Sequence, residues 1–550
     1  MPYPALLRRV VLGISLLSLT GCATLAPDRG LGDVHALLGA RDSSLATRPD
    51  SLNSSSSEIA SRVHALLAEP LTPDQAISVA LLRNPLLRAE YARLGLAQAD
   101  VIQASRLSNP VLSFSALSSS APAQYTRFDY GLVQNFTDAL FLHSRSSIAK
   151  GELDRAKALA AASIQTLAAD VAKAYFQLEG AQQMAQMRQV VAKAAEVSGD
   201  LAQRFYAAGN INELEFRMEQ AAGTQAQLDV DAAAADVATA YTALNALMGL
   251  RAAEADWKIV GELPLPVEDE ADIQTLRDLA LVNRLDLTAK RAEANSLARI
   301  LELSKTLRWL PFVSIGVQGE RDNDGSHLLG PSVSLELPIF GQSRSGVLRA
   351  QALLDQSQAG IQILESEIGN AVTAAYKRMI AARTRVTRHL TQLIPEREAV
   401  VARTSELQAY MIVGQFQLLV AKQQEYAAYG GYLEALRDYW IARAELARQV
   451  GARLPSDAYI GEASVGAVIL PDKAPGGHVM RGGPAGMQGM DINSMKGMDH
   501  SDHASDSMEG MHMKDMPGMA HSLHKNASVS KKQKPSASKE SHQHHHGDQP

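Results

Sequence analysis

The chain has 550 residues, with 53 Lys and Arg against 59 Asp and Glu, and a single Cys. Near balance of charge excludes a global field that would hold nucleic acid. One Cys excludes an internal disulfide framework and a thiolate metal cage built from one chain. Hydrophobic residues reach 46% but aromatic residues only 5%, and positions 151–250 hold 28 Ala and no Pro. This composition is typical of long helices rather than of a large aromatic core.

The N-terminus has the features of a bacterial export signal. Two arginines precede a short apolar stretch, Val10–Leu19, which is too short to span a bilayer. The stretch ends in Leu-Thr-Gly followed by Cys22, which resembles a lipoprotein lipobox, so we predict a signal peptide over 1–21 and lipidation of Cys22. An ordinary secretory signal with an incidental Cys is the alternative. Ala23 follows, where lipoproteins kept at the inner membrane often carry Asp, and this favours the outer membrane.

The sequence also contains two copies of a unit about 200 residues long. Matching residues keep one order along the chain, which indicates a repeated structural unit rather than chance identity. The matched positions are Ala80 and Ala280, Leu87 and Leu287, Pro110 and Pro311, Tyr175 and Tyr376, Tyr206 and Tyr410, Gly209 and Gly414, and Leu214 and Leu419.

Each copy contains a helical heptad seam, with apolar residues in alternating steps of four and three. The first seam is Leu167, Val171, Ala174, Leu178, Ala181 and Ala185, and the second is Ile368, Val372, Ala375, Met379, Ala382 and Val386. The alternative is a generic buried helix bundle, but two matched copies of this length favour a coiled-coil sleeve.

The lack of proline from 123 to 263 allows one helix from about residue 144 to residue 206, roughly 95 Å long. Gly209 and Gly414 then predict turns, each followed by a return helix. We place the ends of the return helices near Gly249 and Gly451. Pro395 predicts an interruption of the second long helix.

Two alternating segments precede each long helix. They cover 111–116, 127–136, 313–320 and 332–337, and their pattern is that of transmembrane β-strands. Four strands cannot close a barrel, so a membrane crossing requires oligomers, and three copies supply twelve strands. Strands of a soluble amphipathic sheet remain the alternative.

This organisation resembles the TolC family of outer-membrane efflux proteins over about residues 70–452. The resemblance rests on Asn84-Pro85-Leu86, on the segment 337–341, on the paired Arg145 and Arg344, and on the two glycine turns. The lipobox points to the lipidated branch of the family, which includes metal-efflux channels.

The resemblance implies a mainly α fold with transmembrane β, built from two repeats of helix, strand, strand, long helix and return helix. It implies a homotrimer whose twelve-stranded barrel in the outer-membrane lipid is continued by a periplasmic α-helical tunnel. The turns at Gly209 and Gly414 would dock a periplasmic adaptor protein, which joins an inner-membrane pump. One departure concerns the gate, because residues 418–425 contain no Asp and an aspartate ring cannot be carried over. Another is the exit of the second strand, which reads Asn-Phe-Thr-Asp at 135–138.

The domain boundaries follow from these features. We predict a signal peptide at 1–21, a lipid anchor and extended linker at 22–70, a first efflux repeat at 71–252, a connector at 253–273, a second repeat at 274–452, and a disordered Met- and His-rich tail at 453–550.

The tail holds ten Met and ten His after residue 470 and no folding core. Thioether sulfur suits Cu(I) and Ag(I), and imidazole suits Cu(II), Zn(II) and Ni(II). A Met-rich surface for a partner helix and an expression tag are the alternatives. The isolated His35, His64, His143, His327 and His389 are expected to be structural or merely exposed. The predicted metal ligands in the tail are Met487, Met490, Met495, Met498, His500, His503, Met508, Met511, His512, Met513, Met516, Met519, His521 and His524.

Three functions remain open on the sequence. No nucleophilic triad or phosphate loop appears, so an enzyme is not expected, and no cofactor is required beyond copper or silver ions as tail ligands. The first function is a passive export duct for Cu(I) and Ag(I) or related heavy metals. The second is a duct for drugs, solvents or proteins, and the third is a non-transporting lipoprotein that sequesters metal.

Overall fold

The computed structural model describes residues 30–46, 55–118, 126–251, 254, 256–307, 312–322, 324–336 and 344–459. Within these residues the chain is mostly helical, with one four-stranded antiparallel sheet. No described helix is both long enough and apolar enough to cross a membrane.

The first copy follows an N-terminal helical segment. That segment contains α1 (Leu31–Gly39), α2 (Ser43–Ala46) and α3 (Ser56–Leu67). The copy itself consists of α4 (Pro73–Arg83), α5 (Pro85–Ala104), β1 (Val111–Leu117), β2 (Arg127–Asn135), a short α6 (Phe136–Leu140), α7 (Leu142–Ala207) and α8 (Glu213–Met248). The predicted long helix is thus confirmed, at 66 residues.

The second copy repeats this order. It consists of α9 (Ile273–Asn283), α10 (Leu285–Leu307), β3 (Val313–Arg321), β4 (His327–Leu335), α11 (Arg344–Arg388), a π-helical segment (His389–Leu393), α12 (Ile394–Ala409), α13 (Gln415–Val450) and a 3-10 turn (Pro455–Tyr459). The prediction for β4 was too short at its start, because the strand begins at His327 and not at Ser332. The added residues include Pro331, which is tolerated because β4 is an edge strand of the sheet in the single chain.

The motif around Asn84 fixes the entry to α5. The Asn84 side-chain oxygen accepts a hydrogen bond from the Leu86 N–H at 2.8 Å, and its amide nitrogen donates to the Leu247 carbonyl at 2.7 Å. Pro85 occupies the first turn of the helix, where its missing N–H costs nothing. One side chain therefore caps a helix and ties it to the end of the return helix α8.

The second heptad seam is buried throughout as predicted, and the first is buried except at Ala174 and Ala185, which are half-buried. Val171 and Leu178 of α7 are fully buried, and so are Val372 and Met379 of α11. The two copies build two apolar clusters of this kind. The long helices therefore bury a narrow Ala-rich stripe and leave their other faces polar or exposed.

The paired turns require a correction of register. The left-handed residues are Gly209 (φ +76°) in the first turn and Met411 (φ +58°) in the second. Gly414 has φ −71° and precedes α13 as its N-cap, the position that Asn212 holds before α8. The sequence paired Gly209 with Gly414, and this pairing was wrong, because the second turn places a methionine where glycine was expected.

The interruption predicted from Pro395 is confirmed, and it explains why the spacing between matching residues of the two copies changes by one. The π-helical segment lies directly before the helix that contains Pro395 in its first turn. Upstream of the π-helical segment, the matching residues Val171 and Val372 are 201 positions apart. Downstream of it, Gly249 and Gly451, which follow the two return helices, are 202 positions apart. A π-bulge accommodates one inserted residue within a helix. The second copy therefore carries a one-residue insertion at this point.

Candidate channel sheet and helical hairpins

The sheet has the strand order β1-β2-β3-β4, so β1 and β4 form its two edges. Directly paired residues lie on the same face of an antiparallel sheet. The pairs Leu112 with Leu132 and Phe114 with Tyr130 place apolar side chains on one face of β1 and β2. That face continues through the pair Leu132 and Val317 into β3. The predicted alternation is thereby confirmed as one continuous apolar face.

The opposite face of the sheet carries small and polar residues. Ser113 pairs with Gly131, Gly131 with Gln318, and Ser314 with Ser334. In the single chain the apolar face is open, and Leu112 is 77% exposed and Phe114 70% exposed. A sheet with one apolar and one polar face matches a wall between lipid and water.

Charged residues gather at the sheet end farthest from the long helices. Arg127, at the start of β2, contacts Glu320 of β3 at 2.8 Å and Asp129 at 3.2 Å. This end of the sheet is therefore polar and charged, unlike the strand centres.

The two helix turns are exposed at the opposite end of the chain's long hairpins. Around the second turn, Tyr410 is 78% exposed, Met411 93% and Ile412 68%. The first turn presents Leu214 and Met218. Three neighbouring apolar side chains in solvent are typical of a surface that another protein covers.

The copies meet at an ionic junction between the long helix of the first copy and the return helix of the second. Glu445 of α13 contacts Lys173 of α7 at 2.7 Å and Arg448 of its own helix at 2.7 Å. Burial raises the pKa of Glu445, but hydrogen bonds from Arg448, Lys173 and Gln449 outweigh it and lower that pKa to about 2. The carboxylate therefore stays ionised and joins the two copies.

A second ionic cluster fixes the end of the repeat. Arg443 of α13, which is buried, contacts Glu270 of the connector at 2.7 Å and Asp457 at 2.5 Å, and it donates to the Ser456 hydroxyl at 2.8 Å. Burial lowers the pKa of Arg443, but the two carboxylates raise it above its ordinary value. The cluster holds the connector and the last described turn against α13.

Several predicted site residues lie outside the described residues. These are the lipidation site Cys22, the segment 337–341 and all the metal ligands proposed in the tail after residue 453. Of the two turn glycines, Gly209 forms its turn and Gly414 caps the following helix. Within the described ranges, no three acidic, His or Cys side chains are grouped to hold a metal ion.

Sequence reasoning missed Met411, Lys173 with Glu445, and the Arg443 cluster. Met411 had a detectable signal, because pairing Gly249 with Gly451 at a separation of 202 predicts the left-handed residue at position 411. The ion pairs had none, since residues hundreds of positions apart come together only in the fold.

Comparison with known proteins identifies the fold class. Residues 76–250 match the family model described as outer membrane efflux protein. A crystal structure of a membrane protein from Pseudomonas aeruginosa has a TM-score of 0.59 at 17% identity, with 71% of this chain and 93% of that chain covered. CusC has a TM-score of 0.59 at 16% identity, covering 72% and 92% of the two chains. VceC from Vibrio cholerae has a TM-score of 0.58 at 17% identity, covering 69% and 96%.

A search of curated protein sequences finds no match. The fold is that of the outer membrane efflux channels. The resemblance recognised from the sequence is thereby confirmed, by the family model over residues 76–250 and by the TolC-family channel structures for the fold.

Proposed function

We propose that this chain is the outer-membrane channel of a tripartite efflux system, a passive duct across the outer membrane and periplasm. The observation that carries the proposal is the four-stranded sheet, which has one continuous apolar face and two strand edges. Three copies would pair β4 of one chain with β1 of the next into twelve strands, which meets the size needed for closure. The polar face would then surround the pore.

The helical hairpins give this duct its partners. Both long helices begin just after the strands and end at the exposed turns, so each turn lies at the end of its hairpin that is away from the sheet. The apolar side chains of Tyr410, Met411 and Ile412 suit contact with a periplasmic adaptor. The adaptor would join the duct to an inner-membrane pump, and the lipid on Cys22 would anchor each chain in the outer membrane.

Cu(I) and Ag(I), or related heavy metals, are the proposed cargo. Support comes from the tail sequence, in which Met residues two or three positions apart supply soft, uncharged ligands that stay functional under oxidising conditions. A flexible chain with this spacing can place three thioethers around one ion. The tail would raise the local concentration of metal or transfer it to a partner.

Two other functions fit parts of the sequence. A duct for drugs, solvents or proteins would use the same sheet and helices, because the pump and not the channel selects the cargo. A metal-sequestering lipoprotein without transport would have no use for an apolar sheet face, which makes it the weaker alternative.

Deletion of the gene, followed by measurement of copper, silver and drug tolerance, distinguishes the three functions. We expect loss of copper and silver tolerance that is restored by the full-length gene. Loss of drug tolerance alone would replace the metal cargo by drugs. Unchanged export with only lower metal retention in the envelope would support the sequestering lipoprotein.

A further inference from the structure

A cavity of about 490 Å³ lies where the two copies meet. Its walls come from α4, α7, α13, the connector and the N-terminal segment. Small residues such as Ala168, Ala172 and Ala444 leave the space open, and Phe176 and Trp440 form an aromatic wall with ring centroids 5.2 Å apart. We call this space the junction cavity.

One carboxyl group lining the junction cavity lacks a hydrogen-bonding partner for one of its oxygens. The Glu179 side chain of α7 is only 4% exposed, and its Oε2 atom is buried with no hydrogen bond. Burial raises the pKa of Glu179 to about 8, and the neighbouring Glu262 carboxylate adds to the rise, although a hydrogen bond from the Glu262 backbone opposes it. Leaving such an oxygen unpaired is costly.

The arginines that line the junction cavity are already paired with carboxylates. Arg443 is bound by Glu270 and Asp457, and Arg448 by Glu445. Glu179 and Glu262, in contrast, form no ion pair with a described basic side chain. Above about pH 8, where Glu179 is ionised, the cavity therefore contains negative charge that no described basic side chain neutralises.

The geometry points to an organic rather than a metal counterion. Hard divalent ions need about six oxygen ligands, and no group of three acidic, His or Cys side chains among the described residues could hold one. Aromatic rings attract organic cations through their faces. Trp440 already carries one such contact, with the Arg443 guanidinium carbon 5.6 Å from its ring centroid.

We propose that the junction cavity binds an amphipathic organic cation, with its ammonium group at Glu179 and its apolar body against Phe176 and Trp440. The positive charge of the ligand would neutralise the carboxylates of Glu179 and Glu262. Its apolar body would fill the space between the Ala side chains. The proposal does not depend on the cargo of the duct.

The test measures binding of benzyltrimethylammonium to the full-length protein in nonionic detergent by isothermal titration calorimetry. The uncharged carbon isostere, neopentylbenzene, has the same shape without the charge. We expect the cation to bind at pH 9 and the isostere to bind far more weakly. Glu179→Gln should weaken binding of the cation at least about tenfold. Glu434→Gln, which alters an exposed carboxyl group of α13 outside the cavity, should leave binding unchanged.

The pH dependence of the unmodified protein gives a second measurement that needs no variant. The other titratable and charged groups that line the cavity are Asp42 of the N-terminal segment, Asp74 of α4, Tyr175 of α7, Glu262 of the connector, Arg443 and Arg448 of α13, and Arg453 and Asp457 after it. If the ionised carboxylate binds the cation, affinity should fall about 100-fold from pH 9 to pH 6. The proposal would be overturned if the isostere bound as tightly as the cation, or if Glu179→Gln bound the cation as tightly as the unmodified protein. It would also be overturned if the cation did not bind at pH 9 because a neighbouring copy fills the cavity.

Discussion

Lys173 Nζ lies 2.7 Å from Glu445 Oε2, and this contact joins the long helix of the first copy to the return helix of the second. Lys173 also contacts Asp170 at 3.0 Å, and Glu445 also accepts from Arg448 and Gln449. The pair is partly shielded, with the Glu445 side chain 19% exposed. Its contribution to stability therefore exceeds that of an ordinary surface pair.

Glu445→Gln should lower the stability of the folded protein in a pH-dependent way. The folded-state pKa of about 2 lies below the ordinary value of 4.5. The contribution is complete above about pH 5 and is lost as pH falls from there towards 2, with an upper size of about 3 kcal/mol. Melting temperatures in detergent should differ from wild type at pH 7 and by less than half as much at pH 3. Glu302→Gln, in an exposed pair with Lys305, should change nothing at either pH.

The turn residues should respond differently to substitution. Gly209→Val forces a β-branched residue into a left-handed conformation and should cost about 1–2 kcal/mol locally. Gly414→Ser places a capping hydroxyl at an extended N-cap and should be neutral or slightly stabilising. Hydrogen exchange around each turn measures both effects. Faster exchange in Gly414→Ser would contradict the corrected register.

Docking at the turns is tested by Gly414→Trp. A Cβ at Gly414 meets nothing within 4 Å, so the protein should fold and reach the outer membrane in normal amount. The indole would obstruct an adaptor on the turn, and copurification of the adaptor should fall. Gly261→Trp, in the exposed connector, also has open space around its Cβ and serves as the control. Adaptor crosslinks found only near the strands would contradict docking at the turns.

The sheet depends on close strand contact at Gly316. A Cβ there would lie 2.5 Å from the Leu132 carbonyl oxygen, whereas a Cβ at Gly330 meets nothing within 4 Å. Gly316→Ala should therefore disturb the β2–β3 pairing at a cost of about 1–3 kcal/mol, and Gly330→Ala should not. The readout is the amount of heat-resistant oligomer in outer-membrane fractions. Equal amounts from both variants would argue against the strand register.

Lipidation is tested by Cys22→Ser. With the lipobox residue removed, palmitate labelling of the mature protein should disappear. The proposed barrel should still insert, so part of the protein should remain in the outer membrane. Persistent labelling would exclude Cys22 as the lipid site, and a soluble monomer without lipid would argue against the barrel.

The tail should affect metal tolerance without affecting assembly. Truncation after residue 470 should leave oligomer amount and drug permeability unchanged and weaken copper tolerance. Replacing the ten tail Met by Leu should remove tight Cu(I) binding, and replacing the ten tail His should mainly reduce Cu(II), Ni(II) or Zn(II) binding. Competition of the purified full-length protein with a chromogenic Cu(I) chelator measures the first effect. Equal competition by the truncated protein would remove the tail from the assignment.

The sequence alone determined the elements that depend on local patterns. The heptad seams, the alternating strands and the closing residues Gly249 and Gly451 are visible because burial repeats at fixed intervals along a helix or strand. The order of the two copies followed from the same patterns. The extended β4 was only partly visible, since Pro331 is acceptable solely because its strand lies at the sheet edge.

Tertiary structure alone decided which distant residues meet. The contact of Lys173 with Glu445 spans 272 positions, and no interval along the chain predicts it. The same holds for Glu179, whose carboxyl is buried only because the connector and α13 close over α7. The π-helical segment shifts one copy by a single residue, and this shift places Met411 rather than Tyr410 at the left-handed position that corresponds to Gly209. Packing fixes such relations because it brings together side chains that sequence order keeps apart.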